Sequence, residues 1–231
     1  MKLSTLNIAT FLLLILTLAS CLPLQENFDF EPEVDATDPF ADGTAWDFIQ
    51  SANAFTEEGN ISGENFNYLT AAIKKADMVD EFNQTNTTDR TYLLLNNNAF
   101  LGNNDVIDLI TGSDTIGVGA TPDETMERVD TPEKLERLKT ILRYHIVTTY
   151  IAQVPTLEVF DVDYLFQTLI PGEDGLIGFR RDFTWRIDIN KTPAPLPATA
   201  TSQPERVRNH NYIFNNGIGH HLNDPVRNQP Y

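Results

Sequence analysis

Tyr212-Ile213-Phe214-Asn215-Asn216-Gly217-Ile218-Gly219-His220-His221-Leu222 decides the fold class. Two apolar runs flank an Asn-Gly step, the pair of residues that most readily takes positive φ, and this predicts a β-hairpin near the end of the chain. Upstream, Phe183-Thr184-Trp185-Arg186-Ile187-Asp188-Ile189 alternates apolar and polar residues, so one face of a strand is expected to enter the core. Leu176 to Arg180 is its expected antiparallel neighbour, joined through Arg181 and Asp182. Lys191 to Pro204 carries four prolines and reads as an exposed loop, because proline cannot donate to a central ladder.

The front half follows a different period. Phe66, Leu69, Ile73, Ala76, Val79 and Phe82 recur on one helical face, which predicts a helix over 65–82 with Ser62 as N-cap and Lys74 and Lys75 on the far side. Tyr92-Leu93-Leu94-Leu95 stops at three asparagines, as a buried strand does where it breaks into a turn. Thr131 and Pro132 announce a second helix carried by Leu135, Leu138, Ile141 and Leu142. The segment Gly112 to Asp123 between them is expected to be a loop. Helices in front and strands behind give an α+β domain over residues 45–231, with helices packed around an antiparallel β core.

The N-terminal end has another purpose. Met1-Lys2, the apolar run Phe11 to Leu16 and Leu18-Ala19-Ser20-Cys21 follow the order of charged region, apolar region and cleavage site in a signal peptide, residues 1–20. Ser4, Asn7, Thr10 and Thr17 interrupt the stretch, which is short for a span of about 20 apolar residues. Leu-Ala-Ser-Cys resembles the lipobox of bacterial lipoproteins, and the resemblance implies diacylglycerol on the Cys21 sulfur, cleavage before it and acylation of the new amine. Several acyl chains, at about 0.8 kcal/mol per buried methylene, would hold such a protein on a membrane.

Residues 21–44 contain several acids, three prolines and no Lys or Arg, the composition of an extended tether. Acids just after the cysteine also resemble the signals that send some Bacteroidetes lipoproteins to the outward face of the outer membrane.

The 231 residues carry a formal charge of −17, which repels nucleic acid and anionic lipid surfaces, and the single cysteine excludes an internal disulfide. Asn-x-Ser/Thr occurs at Asn60, Asn83, Asn86 and Asn190, but a lipobox belongs to a compartment without that modification.

Three segments, in order, resemble the boxes of the fasciclin-like domain family. They are Thr91 to Phe100, ending Asn-Asn-Asn-Ala-Phe; Leu138 to Val147, carrying Tyr144-His145; and Asn216 to Asp224. The predicted helix over 65–82 falls where that family has its leading helix, and the likeness covers about residues 45–228. Leu95 stands where the family usually has proline, and the proline-rich stretch lengthens the path between the second and third boxes, so the domain is a divergent one. The resemblance implies an extracellular adhesion or partner-binding module with no cofactor and no catalysis. It also implies a contact surface at Tyr144 and His145, for which a place in the core is the competing reading.

The residues themselves hold no Gly-x-Ser-x-Gly, no His-Glu-x-x-His and no phosphate-cradling glycine loop, so no catalytic residues are assigned. His220 and His221 are neighbours on a strand and point to opposite faces, which keeps them from sharing one metal ion. Asp161-Val162-Asp163 and Glu173-Asp174 lack the alternating ligands and glycine of a calcium loop. Two functions follow. One is adhesion through a protein or glycan partner at the cell surface. The other is accessory binding in an outer-membrane glycan-uptake complex, through aromatic residues such as Tyr150, Tyr164 and Trp185.

Overall fold

The computed structural model describes residues 43–53, 62–100, 102–113, 120–191 and 204–226, all within one compact unit, Ala36–Tyr231. Cys21, the signal peptide, nearly all of the tether and the proline-rich stretch of residues 192–203 lie outside the described residues.

Among the described residues six helices come first: α1 (Ala45–Ser51), α2 (Asn67–Lys75), α3 (Val79–Asn83), α4 (Val106–Thr111), α5 (Pro122–Met126) and α6 (Pro132–Tyr144). Strand β1 (Arg90–Leu95) lies among them, and β2 (Ile146–Val147), β3 (Asp163–Gln167), β4 (Leu176–Arg181), β5 (Ile187–Ile189), β6 (Glu205–Phe214) and β7 (Gly217–Leu222) follow. Among the described residues no helix is long and apolar enough to cross a membrane.

The strands form one sheet in the order β2-β1-β7-β6-β5-β4-β3. All neighbours are antiparallel except β1 and β7, which run parallel from Arg90↔Gly217 to Leu95↔Leu222, so the α+β class holds with a mixed rather than wholly antiparallel sheet. The two ends of that order meet. Thr148 donates its amide to the Gln167 carbonyl and Leu169 donates to the Ile146 carbonyl, each at 2.9 Å, around a bridge between Val147 and Thr168. Both edges of the sheet are thereby partly covered.

Local signals hold where tertiary contacts agree with them. Thr131 accepts from the Lys134 amide, Pro132 opens α6, and Leu138, Ile141 and Leu142 are buried. Thr44 and Asp47 form a capping box for α1. Elsewhere the structure corrects the expectation. The predicted helix over 65–82 is two helices, α2 and α3, separated at Ala76 to Met78 with Asp77 in the left-handed region at φ 55°. Ser62 does not cap it. The segment after Gly112, a left-handed C-cap, turns helical at Pro122 behind a Thr121–Glu124 capping box.

The alternating stretch from Phe183 is a strand only over Ile187–Ile189. Phe183, Thr184 and Trp185 belong to the β4–β5 turn, closed by the Asp182 carboxylate, which accepts from the amides of Thr184 and Arg186 at 2.8 and 2.9 Å. The pairing of β4 with β5 is the expected one, Phe179↔Ile189 through Arg181↔Ile187.

In the β6–β7 hairpin the two turn residues are Asn215 and Asn216, with neither at positive φ. Gly217, which follows them, takes a positive φ of 149° and also leaves room for a close backbone approach. A Cβ there would stand 2.1 Å from the Arg90 carbonyl oxygen, on the strand that pairs in parallel with it. Asn216 also joins two helices to the hairpin: its amide donates to the Phe82 carbonyl at 2.8 Å and its carbonyl accepts from the Ala45 amide at 2.9 Å.

Candidate interaction site

The three segments that carry the sequence resemblance fold side by side, since β2, β1 and β7 are consecutive in the sheet and α6 runs directly into β2. Tyr144 and His145 sit at that junction with 0 and 2 % of their surface exposed. The Tyr144 hydroxyl donates to the Leu176 carbonyl at 2.8 Å and accepts from Asn190 at 3.1 Å. His145 Nδ1 meets the Ile141 carbonyl at 2.7 Å, and its Nε2 accepts from the Val226 amide at 2.9 Å.

A carbonyl can only accept and an amide N–H can only donate, so the pair of contacts fixes a neutral Nδ1–H tautomer. Burial agrees: it lowers the His145 pKa to about 4, against the opposing pull of the Ile141 carbonyl. The expected contact surface at Tyr144 and His145 is therefore corrected. Both side chains bind the helix–strand junction to β4, β5 and the C-terminal segment, and both are buried.

His220 and His221 do point to opposite faces. His220 Nε2 meets the Ile151 carbonyl at 2.7 Å, and burial lowers its pKa to about 4. His221 lies flat on Tyr212, ring centroids 4.1 Å apart, with its pKa lowered to about 3, first by burial and then by His220. Among the described residues no three His, Cys, Asp or Glu side chains stand together as metal ligands. The Asn190 side chain is buried, which removes that sequon from any surface chemistry.

A surface with the character of a binding site lies at the β4–β5 turn. Phe183, Phe160 and Trp185 are 72, 55 and 54 % exposed, with Val154, Val159 and Val162 also at the surface. Arg181 assembles this rim. Its buried guanidinium donates from Nε to the Leu157 carbonyl at 2.7 Å and from Nη2 to the Glu158 carbonyl, and its Cζ lies 4.3 Å from the centre of the Trp185 ring. The Asp161 amide donates to the Arg181 carbonyl at 2.7 Å, and Gln153 donates to the Trp185 carbonyl. Two otherwise separate segments, 153–162 and 181–186, thus form one apolar end of the sheet.

Of the aromatics read from sequence as exposed, Trp185 belongs to this rim, while Tyr164 is half-buried against the core and Tyr150 is half-buried. Phe183, expected on the core face of a strand, is instead exposed in the turn, and Phe160 escaped the sequence reading. The signal for Phe160 is Val159-Phe160-Asp161-Val162, apolar residues grouped about an acid in a stretch with no helical period.

A second feature lies on the outer face of the sheet. Asp163, Arg180, Asp188 and Arg206 are successive register partners across β3, β4, β5 and β6 and alternate in sign. Arg180 pairs with Asp163, and Asp188 accepts from Arg206 Nε at 2.8 Å and Lys191 at 2.9 Å. Burial alone would raise the Asp188 pKa, and these two cations hold it below the usual carboxylate value. Beyond the ladder, Arg186 and Arg208 border a cleft of about 440 Å³ that Arg206 and Asn223 also line. The sequence reading missed this basic face, for which the period-two pattern Arg206-Val207-Arg208 is the available signal.

No family model matches the chain, and no curated protein does. Among solved structures, the chain is similar to the FAS1 domain pair from the insect cell adhesion molecule fasciclin I, at 14 % identity and a TM-score of 0.48. That match covers 83 % of this chain and 52 % of the other, so the chain spans about half the length of the structure it matches.

Proposed function

We propose that this chain is a lipid-anchored envelope protein whose fasciclin-like domain serves adhesion, and that the apolar rim around Trp185 and Phe183 is its contact surface. The observation that carries the reading is the rim itself. Large apolar side chains cluster at one end of an otherwise acidic domain, on segments braced by buried hydrogen bonds. Such patches mark interaction surfaces because their exposure to water is unfavourable until a partner covers them. The order of the three fasciclin-like segments supports the domain assignment, and the lipobox at Cys21 supports the anchor.

A second reading has an observation of its own. The Trp185 indole is held in place by Arg181 with its ring in solvent, a platform on which a sugar ring can stack, as an accessory protein of glycan uptake would need.

The test uses whole cells and three chains: native, Cys21→Ala, and the double variant Phe183→Ser/Trp185→Ser. The expected result is that Cys21→Ala leaves the membrane fraction while the rim variant stays there but loses cell-surface attachment and crosslinked partners. Attachment unchanged in the rim variant would overturn the contact surface. Membrane retention of Cys21→Ala would overturn the anchor.

A further inference from the structure

We infer that the cleft bordered by Arg186, Arg206 and Arg208 is a binding site for an acidic sugar, the carboxylate-bearing ring of a polyuronate. The cleft adjoins the apolar rim at Arg186 but takes a different, charged ligand, and the inference goes beyond the function proposed above. The first argument is charge. In a chain of formal charge −17, with 33 acidic residues against 16 basic ones, three guanidinium groups converge on one cleft. Asp188 and Glu64 pair with Arg206 and Arg208, and Asp182 interacts electrostatically with Arg186 and Arg206, so the cleft concentrates cationic donors that these carboxylates only partly engage.

The donors are available. The Arg186 side chain makes no hydrogen bond or ion pair with any described residue. Arg206 turns Nε toward Asp188, which leaves its two terminal nitrogens for a ligand. Arg208 has only an exposed 3.7 Å pair with Glu64, of the kind that contributes little. Asp188 is already shared between Arg206 and Lys191, so among the described residues Asp224 is the one carboxylate lining the cleft. A planar guanidinium fork meets a carboxylate through two parallel hydrogen bonds, which favours a carboxylate ligand over a hydroxyl alone.

Shape and polarity select a sugar over an acidic peptide. The cleft, about 440 Å³, is within the range of small-molecule sites and large enough for a sugar ring or two. Among the described residues Val207 is the one apolar residue lining it, and the rest of that lining is polar or charged. The strand beneath, β6, pairs with β7 from Val207 to Phe214 but with β5 only at Glu205 and Arg206, so an acidic peptide is the competing ligand that a glutamate oligomer must distinguish. Asn223 accepts from Asn96 at 2.6 Å through its side-chain oxygen, which leaves its amide N–H₂ to donate to a ligand hydroxyl or carboxylate.

Calorimetric titration of the purified full chain with a galacturonate oligomer tests the assignment, with its methyl ester as the uncharged sugar and a glutamate oligomer of equal charge as the peptide. The expected outcome is binding of the galacturonate oligomer, a loss of at least about tenfold for the methyl ester, and a similar loss in Arg186→Ala/Arg208→Ala. Both side chains are exposed, and an unchanged melting temperature in the double variant shows that the fold is retained. No binding by the native chain, or binding indifferent to the double variant, overturns the site. Equal binding of the glutamate oligomer overturns its assignment to sugars.

Discussion

Asn97 accepts the Tyr68 amide through its side-chain oxygen at 3.0 Å and so caps helix α2 from the turn after β1, 29 residues away in sequence. The same side chain donates to the Ser62 carbonyl at 2.7 Å and to Asn67 at 3.0 Å. No side chain at the local N-cap position, Phe66, performs this task. The asparagine run that reads as a turn is thus the joint between the helical layer and the sheet.

Asn97→Ala is therefore expected to cost more than an exposed cap. It removes a helix cap, worth about 1 kcal/mol, and takes the partners from the buried Tyr68 amide and the Asn67 side-chain oxygen, for a total of about 2–4 kcal/mol. The urea midpoint measures this, with Asn98→Ala, at a neighbouring exposed side chain, as the comparison expected to lie within about 0.5 kcal/mol of native.

Gly217→Ala should be equally costly for a steric reason. The added methyl would meet the Arg90 carbonyl at 2.1 Å and force the parallel β1–β7 pair apart. A loss of about 3 kcal/mol or more is expected, read as a lowered thermal midpoint, together with faster amide exchange in Tyr92 to Leu94.

Arg181→Met keeps the length and apolar stem but removes the donors to Leu157 and Glu158. The expected outcome is loosening of residues 153–162, seen as faster proteolysis there and a shift in Trp185 emission, while β1, β2 and β7 keep their exchange protection. An unchanged cleavage pattern would show that the rim is held by other contacts.

Acid should destabilise the domain through its histidines. His145, His220 and His221 have folded pKa values of about 4, 4 and 3, all below the ordinary 6.5, so between those values and 6.5 the unfolded chain binds more protons. Their contribution to stability is complete above pH 6.5 and declines as pH falls toward 4, by on the order of 1–3 kcal/mol per buried histidine. Urea midpoints at pH 7.5 and 5.0 test the sign. In His145→Gln, where the side chain no longer titrates, the decline should be shallower. A midpoint that rises on acidification would contradict the neutral, buried histidines.

Sequence by itself determined the elements whose signals are local: α6 from Thr131, Pro132 and its leucine spacing, the β6–β7 hairpin, the apolar strand β1, and the α+β class these imply. Period and caps record the backbone geometry of a few successive residues, and tertiary packing did not oppose them there.

What the tertiary structure decided is which distant groups meet. Alternation in Phe183 to Ile189 could not tell a core face from an exposed one, so Phe183 and Trp185 proved to be the rim while Ile187 and Ile189 entered the core. Continuous helical period could not reveal the break at Asp77, nor could three adjacent asparagines show that Asn97 caps α2. Tyr144 and His145 are buried because α6 delivers them between β4, β5 and the C-terminal segment, and the Arg cleft exists because β5 and β6 pair in one register. Burial and charge convergence depend on pairs of residues far apart in the chain, and no local pattern encodes the partner.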